Sequence, residues 1–330
     1  MALSVALPQR LLRSTSGILL RSGKRTRPED LQGEKARLVK EKRSPNIPLT
    51  DLPPELLDAL LPYLSPSELC ALSQACRLLS VVGEAPSRWK SLFTERWGPL
   101  TDLHREACKM AKDSWKTLYR AKHETDKMAE HQEQSLCGYE LEAVIRRMSA
   151  CCAEKTVCTF CIDGSGSVTP NDFRVMTSFV ATAMESLTQT HPHCKVSVVQ
   201  FSNDVRVELS PQLMPMDQLR AQLGEMARMN GGTNIALSIK QAGQLLKGED
   251  ADAARIIVLL TDGRVDAFQG REAVRMAERL VDEQSGVAIF ALGVGRGVEK
   301  SELDRIIAVC GPDVAASRYT PLCTIDEAPW

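Results

Sequence analysis

Residues 157–167 read Val-Cys-Thr-Phe-Cys-Ile-Asp-Gly-Ser-Gly-Ser. A nearly continuous apolar run, Val157–Ile162, breaks into a polar, glycine-spaced loop, Asp163-Gly164-Ser165-Gly166-Ser167. An apolar run without alternation suits a strand buried on both faces, as in a parallel sheet covered by helices. Val196–Phe201, Ile256–Leu260 and Val287–Leu292 are runs of the same kind. Helical stripes lie between them: Phe173, Met176, Val180, Met184 and Leu187, then Leu219, Leu223 and Met226, then 235–246, 273–280 and 303–308. Thr169-Pro170-x-Asp172 makes a good start for the first of these. The alternation predicts a doubly wound, Rossmann-like α/β sheet over residues 156–322. Val205–Leu209 pairs with the preceding strand as a hairpin edge.

Such sheets bind ligands beyond the carboxyl ends of their strands. The first strand ends in Asp163 and the Ile256–Leu260 strand in Thr261-Asp262-Gly263, while Asn230-Gly231-Gly232-Thr233-Asn234 precedes a helix. Asp163, Ser165, Ser167, Thr233 and Asp262 thereby become candidate metal ligands on loops of one sheet edge, all of them hard oxygen donors. Few carboxylates with neutral oxygens suit Mg²⁺, with Mn²⁺ or Ca²⁺ as alternative occupants. Two carboxylates balance the ion's charge. The hydroxyls leave it electrophilic enough to accept a carboxylate from a partner.

This pattern resembles the von Willebrand factor A domain and its metal-ion-dependent adhesion site. The D-x-S-x-S signature is Asp163, Ser165 and Ser167, the family's threonine matches Thr233, and its second aspartate matches Asp262. The resemblance implies that the serines and threonine approach the metal, with the aspartates acting directly or through water. Domains of this kind usually close with a long C-terminal helix. Here ten residues follow Arg318-Tyr319-Thr320, with Pro321 and Pro329 among them. The last helix is therefore expected to be missing or very short. One sheet face is then left exposed, or covered by the preceding domain.

Upstream, Leu56, Leu57, Leu60, Leu61 and Leu64 form one helical stripe. Pro62 predicts a kink or an early end. Ser65-Pro66-Ser67-Glu68 restarts a helix as a capping box, with Leu69, Leu72, Cys76 and Leu79 as its stripe. Trp89, Leu92, Phe93 and Trp97 mark a third helix; Trp115, Leu118 and Tyr119 mark a fourth. A unit this small buries little surface alone, which argues for a partner on one face. The order Leu52-Pro53-Pro54-Glu55-Leu56-Leu57, Leu60-Leu61, Leu64-Ser65-Pro66-Ser67-Glu68-Leu69, Leu72-Ser73, Cys76-Arg77 and Trp89-Lys90-Ser91-Leu92 resembles the F-box. Leu79 departs from it, standing where the family usually has an aromatic. The resemblance implies a small all-α domain that docks Skp1 and, through it, a cullin–RING ubiquitin ligase. The Skp1-binding residues it implies are Leu52, Pro53, Leu56, Leu57, Leu60, Leu64, Pro66, Leu69 and Trp89.

The expected organisation is a basic disordered arm over 1–47, the F-box and its helical extension over 48–120, and a charged helical linker over 121–155. The α/β domain follows over 156–322, and a tail over 323–330. The linker reads as a semi-rigid spacer, the alternative being a helix packed on either domain. The first 50 residues carry 11 Lys/Arg against 4 Asp/Glu, a net of +7, which leaves −8 for the rest. A net charge of −1 gives the whole chain no pull toward nucleic acid, and no apolar run approaches a membrane span. Eleven cysteines, an odd number without a secretory signal, fit a reduced cytoplasmic or nuclear protein. Cys158-x-x-Cys161 has the spacing of half a zinc site. Residues three apart on a strand face opposite sides, however, so both read as small buried apolar groups. His191 and His193 read as helix–strand loop residues. Gly293-Val294-Gly295-Arg296-Gly297 has the wrong glycine spacing for a dinucleotide loop. A phosphatase would need a nucleophile or base beside the ion, and no histidine lies near the constellation in sequence. These features point to a non-catalytic adaptor: the F-box docks Skp1 and the A domain recruits a target with an acidic side chain. The second reading is a metal-dependent adhesion or scaffold protein, and the third a Mg²⁺-dependent phosphohydrolase.

Overall fold

A computed structural model describes residues 49–128, 136–262, 267–284, 286–295, 298, 300–309 and 319–321. The expected arm and tail lie outside the described residues. Chain contacts divide the protein after Ala59. In the first unit, Leu49–Asp51 forms a 3₁₀ turn, and helix α1 (Pro54–Leu60) begins after Pro53, whose carbonyl accepts the Leu56 and Leu57 N–H groups at 3.0 and 3.2 Å.

The second unit opens with a 3₁₀ turn at Leu61–Tyr63, so α1 ends just ahead of Pro62. Helix α2 (Pro66–Ala75) carries the expected capping box: Ser65 N–H donates to Glu68 Oε2 at 2.8 Å and Glu68 N–H to Ser65 Oγ at 3.4 Å. The stripe expected to continue through Leu79 is broken. Cys76 is extended (φ −162°, ψ 170°) and exposed, and α3 (Arg77–Gly83) starts afresh. The reason is a close helix approach. A Cβ on Gly83 would lie 2.5 Å from Leu69 O and 2.7 Å from Ser73 N, a spacing that only glycine permits. Helices α4 (Pro86–Trp97), α5 (Asp102–Met110) and α6 (Trp115–Met128) follow. Sequence periodicity did not anticipate α5, which Thr101 and His104 cap reciprocally.

Helix α7 (Gly138–Ala150) occupies the segment read as a spacer, and the packed alternative describes it. Leu141, Val144, Ile145 and Met148 are buried. Lys122 Nζ reaches Glu140 Oε1 and Oε2 at 2.9 and 2.8 Å, with the two residues 3% and 0% exposed. Charges buried this deeply are held by each other.

The α/β part runs β1 (Thr156–Asp163), α8 (Pro170–Thr190), β2 (Cys194–Phe201), β3 (Val205–Gln212), α9 (Met216–Glu225) and α10 (Ile235–Lys247). It continues through β4 (Ala254–Thr261), α11 (Ala267–Glu283), β5 (Val287–Gly293), α12 (Lys300–Ala308) and β6 (Tyr319–Pro321). The sheet order is β3-β2-β1-β4-β5-β6, and only β3 is antiparallel to its neighbour. Cys158, Phe160 and Ile162 face one core; Val157 and Cys161 face the other, so the two cysteines lie on opposite faces as strand periodicity requires. The Phe160 core also contains Leu141, Val144 and Met148 of α7 and reaches Leu61, Leu69 and Trp89. Helices of the second unit that precede β1 therefore share one core with this sheet face; residues 310–318 and 322–330, where a last helix would fall, lie outside the described residues. Among the described residues no helix is long and apolar enough to cross a membrane.

Candidate functional site

The parallel strands leave their carboxyl ends along one edge, and Asp163 is the last residue of β1, paired with Phe201 at the end of β2. Three loops at this edge are laced by backbone bonds. Gly164 N–H donates to Phe201 O at 2.8 Å, Asn230 N–H to Gly164 O at 2.7 Å, and Gly166 N–H to Gly231 O at 2.8 Å. Asn234 N–H donates to Ser202 O at 2.8 Å, and Gly232 N–H to Asn203 Oδ1 at 2.9 Å. The loop bearing Thr233 is thereby fixed beside the Asp163 loop.

Asp163 is completely buried. Its Oδ1 accepts the Ser165 N–H at 2.9 Å and its Oδ2 the Thr261 hydroxyl at 2.6 Å. Ser165 Oγ and Ser167 Oγ are 3.0 Å apart. Thr233 is 7% exposed and Asp262, directly after Thr261, 2%. Burial pushes the Asp163 carboxyl up to about 6; hydrogen bonds from Thr261 and Ser165 oppose this, and the neighbouring Asp262 charge adds to it. Two buried carboxylates side by side, with uncharged partners on Asp163, make a poor anion pair unless a cation joins them. The donor set of two carboxylates and three hydroxyls fits a hard divalent ion. Among the described residues no group of three or more His, Cys, Asp and Glu side chains forms a metal cluster, so hydroxyl donors distinguish this constellation from a cysteine–histidine site. The five residues expected from the sequence all lie at this edge.

Sequence reading missed Gln200. It is fully buried on β2, accepts the Met229 N–H at 2.7 Å, and donates to Glu208 Oε1 at 2.7 Å and to Ala227 O at 3.2 Å. It braces the loop that carries Thr233. Its packing also explains Gly164, where a Cβ would overlap Gln200 Oε1 and lie 2.9 Å from Cδ. A glutamine inside an apolar run was the available signal. Arg228 extends a guanidinium nitrogen to within 3.5 Å of Ser165 O.

The residues implied for Skp1 binding divide by burial. In the first unit Leu52 is half-buried, Pro53 exposed, Leu56 52% exposed and Leu57 buried. In the second, Leu60, Leu64 and Pro66 are half-buried, while Leu69 and Trp89 are buried at 0% and 2%. Trp89 donates Nε1–H to Gly83 O at 2.8 Å and packs edge-on to Tyr119. The structure places Leu57, Leu69 and Trp89 among the buried residues. Tyr63, Leu78 and Val81, which the sequence did not single out, are 63%, 50% and 74% exposed.

Comparison with known proteins identifies the two parts of the chain. Residues 158–321 match the von Willebrand factor type A domain and residues 49–95 match the F-box-like model. The chain carries an F-box-like domain followed by a von Willebrand factor A domain of Rossmann-like fold. Matrilin-1 of Gallus gallus is 30% identical over 145 residues, 42% of this chain and 28% of that protein. Integrin alpha-M of Mus musculus is 28% identical over 162 residues, 47% of this chain and 13% of that protein. The chain therefore spans less than a third of these relatives' lengths. Proximal thread matrix protein 1 from the mussel byssus aligns at 26% identity over 47% of this chain and 41% of that one, with a TM-score of 0.42. A second structure of that protein, described as having a zinc occupied MIDAS motif, aligns at 23% identity over 53% and 45% of the two chains, with a TM-score of 0.44.

Proposed function

We propose that the protein is a non-catalytic, substrate-recognition adaptor of a Skp1–cullin–F-box ubiquitin ligase, its A domain capturing a protein target. Residues 48–120 dock Skp1 and residues 156–322 bind the target. Ubiquitin transfer then belongs to the partners, and the chain works in the cytoplasm, the nucleus or both. The observation that carries the target-binding half is the buried Asp163 beside Asp262, with Ser165, Ser167 and Thr233 on loops held at the same sheet edge. These residues would hold Mg²⁺, or Mn²⁺ or Ca²⁺ in its place. When bound, the ion supplies a Lewis-acidic contact for an acidic side chain of the target. This chain's own part is to hold the hydroxyls in register: Thr261 fixes Asp163 Oδ2, the Ser165 N–H fixes Oδ1, and Gln200 holds the 227–229 backbone.

The Skp1 half is supported by the F-box-like match and by large apolar side chains exposed within it, Leu56 in the first unit and Tyr63, Leu78 and Val81 in the second. An isolated exposed leucine is ordinary on a protein surface, but three large exposed apolar side chains within residues 63–81 exceed that. The adhesion reading draws support from the names of the matrilin and integrin relatives, and the F-box-like segment is what sets it second. The test is co-purification of Skp1 with the full chain and with a Leu52→Ala/Pro53→Ala variant. The adaptor reading requires recovery with the first and loss with the second while the A domain stays folded. Equal recovery from both removes the Skp1 assignment.

A further inference from the structure

Asn230-Gly231 belongs to the loop that carries Thr233, just ahead of α10, and both residues are exposed. Asn230 holds φ 61°, the left-handed region, which asparagine tolerates better than most residues. Gly231 follows at φ 103°, which favours glycine, and a Cβ there would also crowd Asn203 Nδ2 at 2.8 Å. The loop is pinned on both sides of this pair. Asn230 N–H donates to Gly164 O at 2.7 Å, and Gly231 O accepts the Gly166 N–H at 2.8 Å. Between those anchors, the peptide group made of Asn230 C=O and Gly231 N–H has no hydrogen bond among the described residues. The Asn230 side chain is also unengaged among them. The other described asparagines are held: Asn171 Oδ1 accepts from Arg174, Asn203 Oδ1 from the Gly232 N–H and Asn234 Oδ1 from the Leu237 N–H.

We propose that Asn230 is a site of spontaneous deamidation, with water as the co-reactant. Asparagine is among the chemically labile side chains, and here both reacting groups are unbonded while glycine leaves the attacking nitrogen unhindered. Hydroxide takes the Gly231 N–H proton, and the nitrogen attacks Asn230 Cγ. The N–Cγ bond forms, the Cγ–Nδ2 bond breaks, and Nδ2 takes up a proton from water and leaves as ammonia. Water then opens the five-membered imide. Cleavage at Cγ gives aspartate, cleavage at the backbone carbonyl carbon gives isoaspartate, and the Gly231 nitrogen regains its proton. Water is consumed, ammonia is released and nothing is oxidised. Asp163-Gly164 has the same pairing of residues, but its route is closed. The Gly164 N–H is committed to Phe201 O at 2.8 Å, and the Asp163 oxygens to Ser165 and Thr261. At Asn230 the product places a new negative charge on the loop beside Asp163. The isoaspartyl form also inserts a carbon into the backbone between the Gly164 and Gly166 anchors, so the Thr233 loop loses part of its lacing.

The experiment is ageing of the purified, folded full chain in mildly alkaline buffer, with a urea-unfolded sample in parallel, followed by peptide mapping with mass spectrometry. The expected product in both samples is the residue-230 peptide converted from amide to acid and resolved into aspartyl and isoaspartyl forms. In the folded sample the peptides of Asn171, Asn203 and Asn234 should stay unchanged. Conversion should speed up as pH rises, because attack requires loss of the Gly231 N–H proton. Asn230→Gln, whose longer side chain must close a larger ring, should lose the product. Conversion in the unfolded chain with none in the folded chain would overturn the proposal, as would faster conversion at Asn203 or Asn234. Wild type alone decides the matter if the variant fails to fold. Asn230→Asp, freshly purified, carries the charge without the inserted carbon. The isoaspartyl fraction should melt below it, and equal melting would overturn the loosening of the loop.

Discussion

Gly164→Ala is the most revealing single change at the metal edge, because it alters no candidate ligand. The new methyl would overlap Gln200 Oε1 and crowd Cδ at 2.9 Å and Cγ at 3.0 Å. A glutamine end can swing aside, but this one is fully buried and holds Met229 N–H, Ala227 O and Glu208. Arg206 also serves Ala227 O and Glu208, so displacement strands chiefly the Met229 N–H and forfeits the bond to the Glu208 carboxylate. One stranded donor costs about 1–3 kcal/mol and a charge-assisted bond about 1.5, which gives a loss of about 2.5–4.5 kcal/mol. For a domain of this size that is a fall of about 5–18 °C in Tm. The assay is thermal unfolding of Gly164→Ala, Gln200→Ala and the double variant. Because both changes release the same side chain, the double variant should unfold close to Gln200→Ala alone. Additive losses in the double variant would refute the argument that Gly164 exists to accommodate Gln200.

Other expectations follow from burial. Lys122→Met leaves Glu140 buried without its cation and should cost about 3–5 kcal/mol, while Lys122→Met with Glu140→Leu should recover most of that in a denaturant titration. Trp89→Ala should destabilise by about 3–5 kcal/mol, with Trp89→Phe milder because part of the buried ring is kept while the bond to Gly83 O is lost. Leu56→Ala, at a position 52% exposed, should leave the melting temperature nearly unchanged yet reduce Skp1 recovery; a large stability loss would return Leu56 to the core.

Much of the α/β domain was legible because its signals are local. The apolar runs ended where the strands end, Thr169 and Asp172 capped α8, and the D-x-S-x-S loop followed β1 directly. Thr233 and Asp262 were legible as loop residues because strand order brings their loops to one edge. What escaped depends on contacts distant in sequence. The break at Cys76 follows from the approach of Gly83 to Leu69 and Ser73, which no helical stripe reports. The pattern around Lys122 and Glu140 reads as a solvated charged helix, and only their mutual contact across 18 residues makes it a core. Trp89 and Leu69 fit the F-box pattern, yet pattern alone does not separate residues that build a domain from those that face its partner.

The central claim is that Asp163, Ser165, Ser167, Thr233 and Asp262 form a divalent cation site through which the A domain takes its target. Calorimetric titration of Mg²⁺ into the full chain and into Asp163→Ala tests it most directly. The account predicts saturable binding to the wild type and none to Asp163→Ala, with Skp1 recovery equal for both. Binding of equal strength to the two proteins, or to neither, would contradict it.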